Sequence, residues 1–414
     1  MPGRLRRFVS ESLGQLWADV KASTDSSLLE VARWLGLLRG PIDRRLPIDE
    51  ALRKAMTNRL PAHVRWKHVF GSITYLLFAV LVVTGVLLSF YYRPSAQEAY
   101  PSIQHIVSGV SFGWLIRDVH VWSASLIVIV MLVHLARVFI DMAYKPPRET
   151  NWFIGMLLLL VVLAFGATGY LLPWDQWSYW TAVEVLAAYN KLPIIGPFIT
   201  ALLTGDVIVS GATLSRYFAL HVIVLPWVAF ALLAFHFALA RRHGIALPKD
   251  GATTEEPGRP FYPNQLLRNF VTAVAVIALV ITFAVIWPRP VGDPATPYTV
   301  PTELVTTWAP VNVALATVRY LGPWGVAGFV VLGIALVFLP VFDRDPNRRL
   351  RRQPVVLALG MVLFVSLVGG WLVGRQIHSV NPAIAPTVQT PGEVGAPIPN
   401  LSPTDTAETP AEEP

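Results

Sequence analysis

An all-α integral membrane protein with seven spanning helices, a four-helix bundle followed by a three-helix module, is the fold class the sequence predicts. Three observations carry that expectation. The 414 residues are 54% hydrophobic and only 14% charged, which is too apolar for a soluble chain of this size. The apolar residues fall in seven blocks, about 69–92, 115–139, 152–172, 215–240, 268–287, 323–341 and 354–374. Each is near the roughly 20 residues that a helix needs to cross about 30 Å of hydrocarbon. A polar stretch, 241–267, separates the first four blocks from the last three.

Taken in order, residues 1–68 form an N-terminal extension with thirteen Lys/Arg against seven Asp/Glu. Its short apolar clusters alternate with basic residues, a pattern that suits interfacial helices as well as a solvated domain edge. No apolar core and cleavage site follow the basic start, so no removable signal peptide is expected. Seven alternating helices put this extension on the same side as Lys145 and Arg148, Arg241, Arg242, Lys249 and Arg259, and the five arginines between Arg344 and Arg352. The opposite loops hold only Arg93, Lys191, Arg289 and Arg319. The positive-inside rule therefore puts the N-terminus on the cytoplasmic, negative side and the C-terminus on the positive side. This distribution accounts for the net charge of +7, so lipid is an expected partner and nucleic acid is not. Residues 376–414, rich in Pro, Thr, Ala and Glu, are expected to be disordered.

The chain has no cysteine, which excludes thiolate-held clusters and thioether-linked cofactors. Any redox chemistry rests on histidine. The second helix carries His120 and His134, fourteen residues apart, and the fourth carries His221 and His236, fifteen apart. At about 1.5 Å per residue each pair spans roughly 21–22 Å, so one member sits near each membrane face. Steps of about 100° keep each pair on one side of its helix. The fifteen-residue spacing calls for local rewinding of the fourth helix near Pro226. With one helix between them, the second and fourth run the same way, so His120 can face His221 and His134 can face His236. Two imidazoles opposed at one depth are axial ligands for a low-spin haem, and the expectation is two b haems.

The first and third helices repeat the same vertical period with Gly71 and Gly85, and Gly155 and Gly169. A flat macrocycle in a four-helix bundle needs close backbone approach, which a residue without Cβ permits. Taken singly, such glycines serve small-residue helix packing and such histidines serve hydrogen bonding or proton relay; the shared period on four consecutive helices favours haem. Arg117, Arg137 and Arg216 lie three to five residues from the histidines. They could hold propionates or snorkel to headgroups.

The resulting pattern resembles cytochrome b, in particular the bf kind, over roughly 63–248. The likeness rests on Gly71-Ser-Ile-Thr, Thr84-Gly85, Phe90-Tyr-Tyr-Arg-Pro94, Phe112-Gly-Trp-Leu-Ile-Arg117 with His120 and Trp122-Ser-Ala-Ser125, Gly169-Tyr-Leu-Leu-Pro-Trp-Asp-Gln176, and Arg241 to Pro248 after His236. The resemblance implies a quinol:cytochrome c or plastocyanin-type reductase running a Q cycle. Its implied partners are a Rieske iron–sulfur protein, a c-type cytochrome or equivalent, and a membrane quinone, in a dimeric complex. It further implies domains at 69–240 (the dihaem bundle), 241–267 (a linker) and 268–375 (a module like the separate three-helix subunit of bf complexes).

The chain departs from that family's pattern in three places. Val69 stands where a cysteine would attach a third haem, so a covalent third haem is not expected. The quinol-site motif Pro-Glu-Trp-Tyr survives only as Thr302-Glu303-Leu304-Val305 after Pro301. Glu303 keeps the carboxylate that accepts a quinol proton, although a loop carboxylate is also commonly just solvated. The N-terminal extension is also longer than usual. After the third helix, the aromatic stretch from Pro173 and Trp174 through Tyr179 to Trp180 suits a quinol pocket, with Tyr179 beside Glu303 in its chemistry; an interfacial aromatic belt is the plainer reading. His63, His68, Arg241 and His243 are candidates for a negative-face quinone site by location alone. The competing functions are a dihaem anchor for another oxidoreductase and a transporter with histidine proton relays.

Overall fold

The computed structural model describes residues 59–381, apart from 62, 65, 207, 247–257, 307 and 346–352. The expectations for the first 58 residues and for 382–414 lie outside the described residues. The first four spanning helices are α1 (Phe70–Ser89), α3 (Gly113–Ile140), α4 (Glu149–Leu171) and α7 (Gly211–His243). Three more follow: α8 (Leu266–Ile286), α10 (Gly322–Val337) and α11 (Pro354–Gly374). Seven spans by length and composition match the expected all-α membrane fold. In lipid a helix satisfies most of its backbone polar groups within its own segment, which is why helices span.

Between the spans lie helices too short to cross: α2 (Ala99–Ser108), α5 (Gln176–Asn190), α6 (Ile195–Thr204) and α9 (Ala309–Ala316). α9 continues through a π-helical turn, Thr317–Leu321. It runs up to α10 without a gap in sequence, but Gly322 at φ +60° turns the chain between them, a backbone state that glycine adopts without steric cost.

Two sets of contacts define the two faces. On the first face the loops before α2, after α4 and after α8 meet. Tyr92 donates to Leu172 O at 2.8 Å, and Asp175 pairs with Pro294 as an antiparallel bridge. On the second face β1 (Arg59–Leu60) pairs antiparallel with β2 (Arg259–Pro260), and Arg148 Nη2 donates to His243 O at 3.0 Å. Buried Lys145 meets buried Asp343 there at 2.9 Å, which joins the four-helix bundle to the three-helix module. The main core runs from α1 through α3 and α4 to α5 and α9, with Leu77, Ile127, Leu171, Tyr179 and Leu315 among its buried members.

The rewinding of α7 takes a definite form. The stretch Leu220–Val224 is a π-helical turn inside the helix, which adds one residue without advancing the helical phase by a full step. Pro226 is the second residue of the α-helical stretch Leu225–His243 that follows, and has no N–H to close an α turn. Residues 376–381, taken in sequence as the start of a disordered tail, instead pack on the first face, with Ile377 and Val380 buried.

Candidate functional site

Four histidines point into the bundle between α1, α3, α4 and α7, and each rests on one glycine. A Cβ at Gly85 would lie 3.3 Å from His120 Cε1, and one at Gly71 would lie 3.4 Å from His134 Cε1. The same holds across α4 and α7, where the distances are 3.5 Å from Gly155 to His236 and 2.6 Å from Gly169 to His221. The glycines on α1 therefore receive the histidines of α3, and those on α4 receive the histidines of α7. The first thing a methyl group would strike is an imidazole, which refines the expectation that these glycines make room for a macrocycle.

His120 and His221 face each other with ring centroids 6.3 Å apart. Two metal–imidazole bonds of about 2 Å each, plus the half-widths of two rings, account for such a separation. Their outer nitrogens are fixed. Thr84 Oγ1 donates to Val80 O at 2.7 Å and so accepts from His120 Nδ1 at 2.8 Å. Thr168 Oγ1 donates to Ala164 O at 2.7 Å and stands 3.1 Å from His221 Nδ1, which also faces Phe165 O at 3.0 Å. A carbonyl only accepts, so Nδ1 carries the proton and Nε2 keeps its lone pair for a metal. The sequence shows Thr84 only as part of a family-like motif, and the role of both threonines toward the imidazoles is visible only in the fold. Their signal is the repeated Thr-Gly dipeptide, Thr84-Gly85 and Thr168-Gly169.

At the second level a cavity of about 400 Å³ is lined by His134, His236, Gly71, Gly155 and Arg137, with Tyr144, Trp152 and Arg148 on its wall. Among the described residues no group of three or more His, Cys, Asp or Glu gathers round a point. Paired imidazoles over glycine-backed space suit a metal whose remaining ligands come from a flat macrocycle.

The arginines differ in placement. Arg117 is buried, paired with Asp118 at 3.0 Å, and donates to Arg289 O at 2.7 Å. Arg137 lies in the second-level cavity and meets Asp141 at 3.3 Å. Arg216 turns instead to the end of α6, where it donates to Ala201 O at 3.1 Å and Leu202 O at 2.5 Å. A cation there satisfies the last carbonyls of a helix. The structure thus gives Arg216 a capping contact that its sequence position did not show.

On the first face the turn after α4 is stitched to the loop after α8. Trp174 holds φ at +52°, a left-handed state of the kind that clusters at functional sites; its carbonyl accepts from Ala295 N at 3.0 Å. Asp175 caps α5 through Ser178 N at 2.9 Å and accepts Gly292 N at 3.0 Å. Tyr179 is buried and donates to Val209 O at 3.1 Å. Burial, and then Tyr298, hold its phenol above the ordinary range, so it stays a neutral donor. Pro173 lies in the turn before Trp174. Glu303 has an exposed side chain, while the next residue, Leu304, is wholly buried in the core with Trp174 and Tyr179. Trp308 belongs to the same buried cluster as Leu304, and its ring packs against the backbone of Gly166. On the second face His63 Nε2 lies 2.9 Å from Ala246 O, and His68 and His243 line the second-level cavity.

A multi-pass α-helical membrane protein with imidazole pairs at two depths of one bundle belongs to the class of membrane redox proteins. Residues 55–244 match the family model "Cytochrome b/b6/petB". The chain is 40% identical to cytochrome b6 of Prochlorothrix hollandica over 204 residues, 49% of this chain and 92% of that protein. It is 41% identical to cytochrome b6 of Stigeoclonium helveticum over 206 residues, 50% of this chain and 96% of that protein. A chain from a solved structure titled "Hyperthermophilic respiratory Complex III" superposes with a TM-score of 0.71 at 26% identity, covering 83% of this chain and 92% of that one. The chain belongs to the cytochrome b/b6 family. It is an electron-transfer subunit of the bc/bf type that binds haem b.

Proposed function

We propose that this chain is the dihaem cytochrome b of a quinol:cytochrome c reductase-type complex, carrying electrons across the membrane in a Q cycle between quinone sites on its two faces. The observation that supports this most is the matching of four histidines to four glycines at two depths. His120 with His221 would hold one haem b, and His134 with His236 the other. Thr84 and Thr168 fix the tautomer of the first pair. Arg117 and Arg137 would be the cations that meet the propionates. When bound, the haems supply one-electron transfer between the two faces, and the protein sets their spacing, ligands and surroundings. Val69 and the absence of cysteine leave no thioether for a covalent third haem.

The quinol site lies on the first face, between Pro173 and Trp174, Tyr179 and the Glu303 loop. Quinol oxidation there releases two electrons and two protons. One electron goes to a Rieske protein and on to a c-type cytochrome or equivalent, and the other enters this chain. Glu303, exposed at the mouth, takes a proton to water, and Tyr179 keeps the wall polar at one point. The basic second face is the cytoplasmic, negative side, with quinone reduced near His68 and His243, and the C-terminus lies on the positive side. The complex is a homodimer by analogy with the family.

Quinol-driven cytochrome c reduction by the purified complex tests this reading, with Glu303→Gln beside it. The expected result is activity that the substitution slows while both haems stay bound. Unchanged turnover in Glu303→Gln removes that carboxylate from the proton path. A complex with no Rieske centre and no cytochrome c reduction would make the chain the membrane anchor of another oxidoreductase.

A further inference from the structure

One buried ion pair on the first face has no part in the site described above. Glu184 of α5 has a side chain 1% exposed and meets Arg319, which follows α9, through both carboxylate oxygens; Nη2 lies 2.8 Å from Oε2, and Nε bonds Oε1. The same guanidinium donates to Ser379 O, and Glu184 Oε2 accepts Asn381 N at 3.4 Å. Three residues before Asn381 the same stretch of chain passes the quinol-site loop, where Leu304 N donates to His378 O at 2.7 Å. Residues 376–381 thus form a strap fastened at one end to the residue next to Glu303 and at the other to the helix that carries Tyr179. Ile377 and Val380 anchor it in the core that holds Trp174 and Tyr179. Its root is equally fixed, because a Cβ at Gly374 would collide with the backbone of Asn312, whose side chain bonds Thr306 Oγ1 in the same loop.

Two charges taken out of water gain little net stability over well-packed apolar residues, and the best-attested return on such a pair is a single fixed arrangement. What this pair fixes is the mutual position of α5, α9 and the strap, hence both walls of the quinol site. We propose that Arg319 and Glu184 are positioning residues for quinol oxidation, acting through the 376–381 strap to hold the Glu303 loop against α5. The proposal rests on the reading of this face as the quinol site. Neither residue touches the reacting atoms; a shift of the loop by about an ångström is enough to slow a positioned reaction about a hundredfold.

The test is a double-mutant cycle on the assembled complex with Arg319→Gln, Glu303→Gln and both together, reading kcat and KM for quinol with haem content by reduced-minus-oxidised spectra. Arg319→Gln is expected to lower kcat/KM about ten- to a hundredfold with both haems retained. The double variant should then be no slower than the slower single one, because a carboxylate that is already misplaced has nothing further to lose. Multiplicative losses would overturn the proposal by showing that Arg319 acts independently of the loop, and so would unchanged kcat/KM in Arg319→Gln. If Glu303→Gln is silent while Arg319→Gln is slow, the carboxylate's role falls and the strap's stays, with the loop serving the site through its backbone. Glu184→Gln, which removes the charge and keeps the shape, gives the same reading should Arg319→Gln fail to assemble.

Discussion

Among the four glycines that face the histidines, Gly169 sets the tightest tolerance, because a methyl group there would sit 2.6 Å from His221 Cε1, against 3.5 Å at Gly155 for His236. The first distance forces the imidazole to move, and the second is ordinary van der Waals contact. Gly169→Ala should therefore lose or weaken the haem held by His120 and His221 while the other stays, and Gly155→Ala should keep both. Haem content and the reduced spectrum of each variant distinguish the two, and equal losses would show that the glycines do not act through the histidines they touch. The histidines and glycines were legible in the sequence because a period near fourteen residues survives on four helices. The threonines were not, because an Oγ on one helix reveals its acceptor role only when the neighbouring helix brings an imidazole to it. Arg216 shows a contact of another kind that the chain spacing hides: five residues before His221 in sequence, it meets the last carbonyls of α6 in space.

The elements that carry the site were legible in proportion to their length. Spans of some 20 apolar residues announce themselves, whereas α2, α5, α6 and α9 have at most 15 residues each and fall short of that length. The odd spacing on α7 was readable as a need for rewinding, and the structure meets it with the π turn Leu220–Val224. That turn is one extra residue wound into an otherwise regular helix. Deleting Ile223 should let the helix close as a regular α-helix with His221 and His236 fourteen residues apart, so both haems should still bind. Deleting Leu232, in the α-helical part, would leave the π turn in place and rotate His236 by about 100°, and the second haem should be lost. Pyridine-haemochrome stoichiometry of the two deletions decides the matter. Retention of both haems in each would mean that α7 does not set the ligand register.

Across the whole molecule the four-helix bundle and the three-helix module are joined by polar contacts on both faces that no sequence period marks. The partners lie nearly 200 residues apart, as with Lys145 and Asp343. Both of these side chains are buried, and Tyr144 also donates to Asp343. Breaking such a pair by removing one charge costs about 3–5 kcal/mol, whereas replacing both with apolar residues is often neutral. Asp343→Leu should lower the thermal stability of the complex, and Lys145→Met combined with Asp343→Leu should recover most of it; failure of the double variant to recover would mean that the charges serve more than the joint. The whole bundle is organised around two haems between four histidines, as proposed above. The most direct measurement is the haem count of the purified chain by pyridine haemochrome and dithionite-reduced spectra, with His120→Ala and His134→Ala alongside. Two b haems and no covalent haem are expected in the parent protein, with a different haem lost in each variant. One haem or none in the parent, or the same haem lost in both variants, would contradict the pairing of His120 with His221 and of His134 with His236.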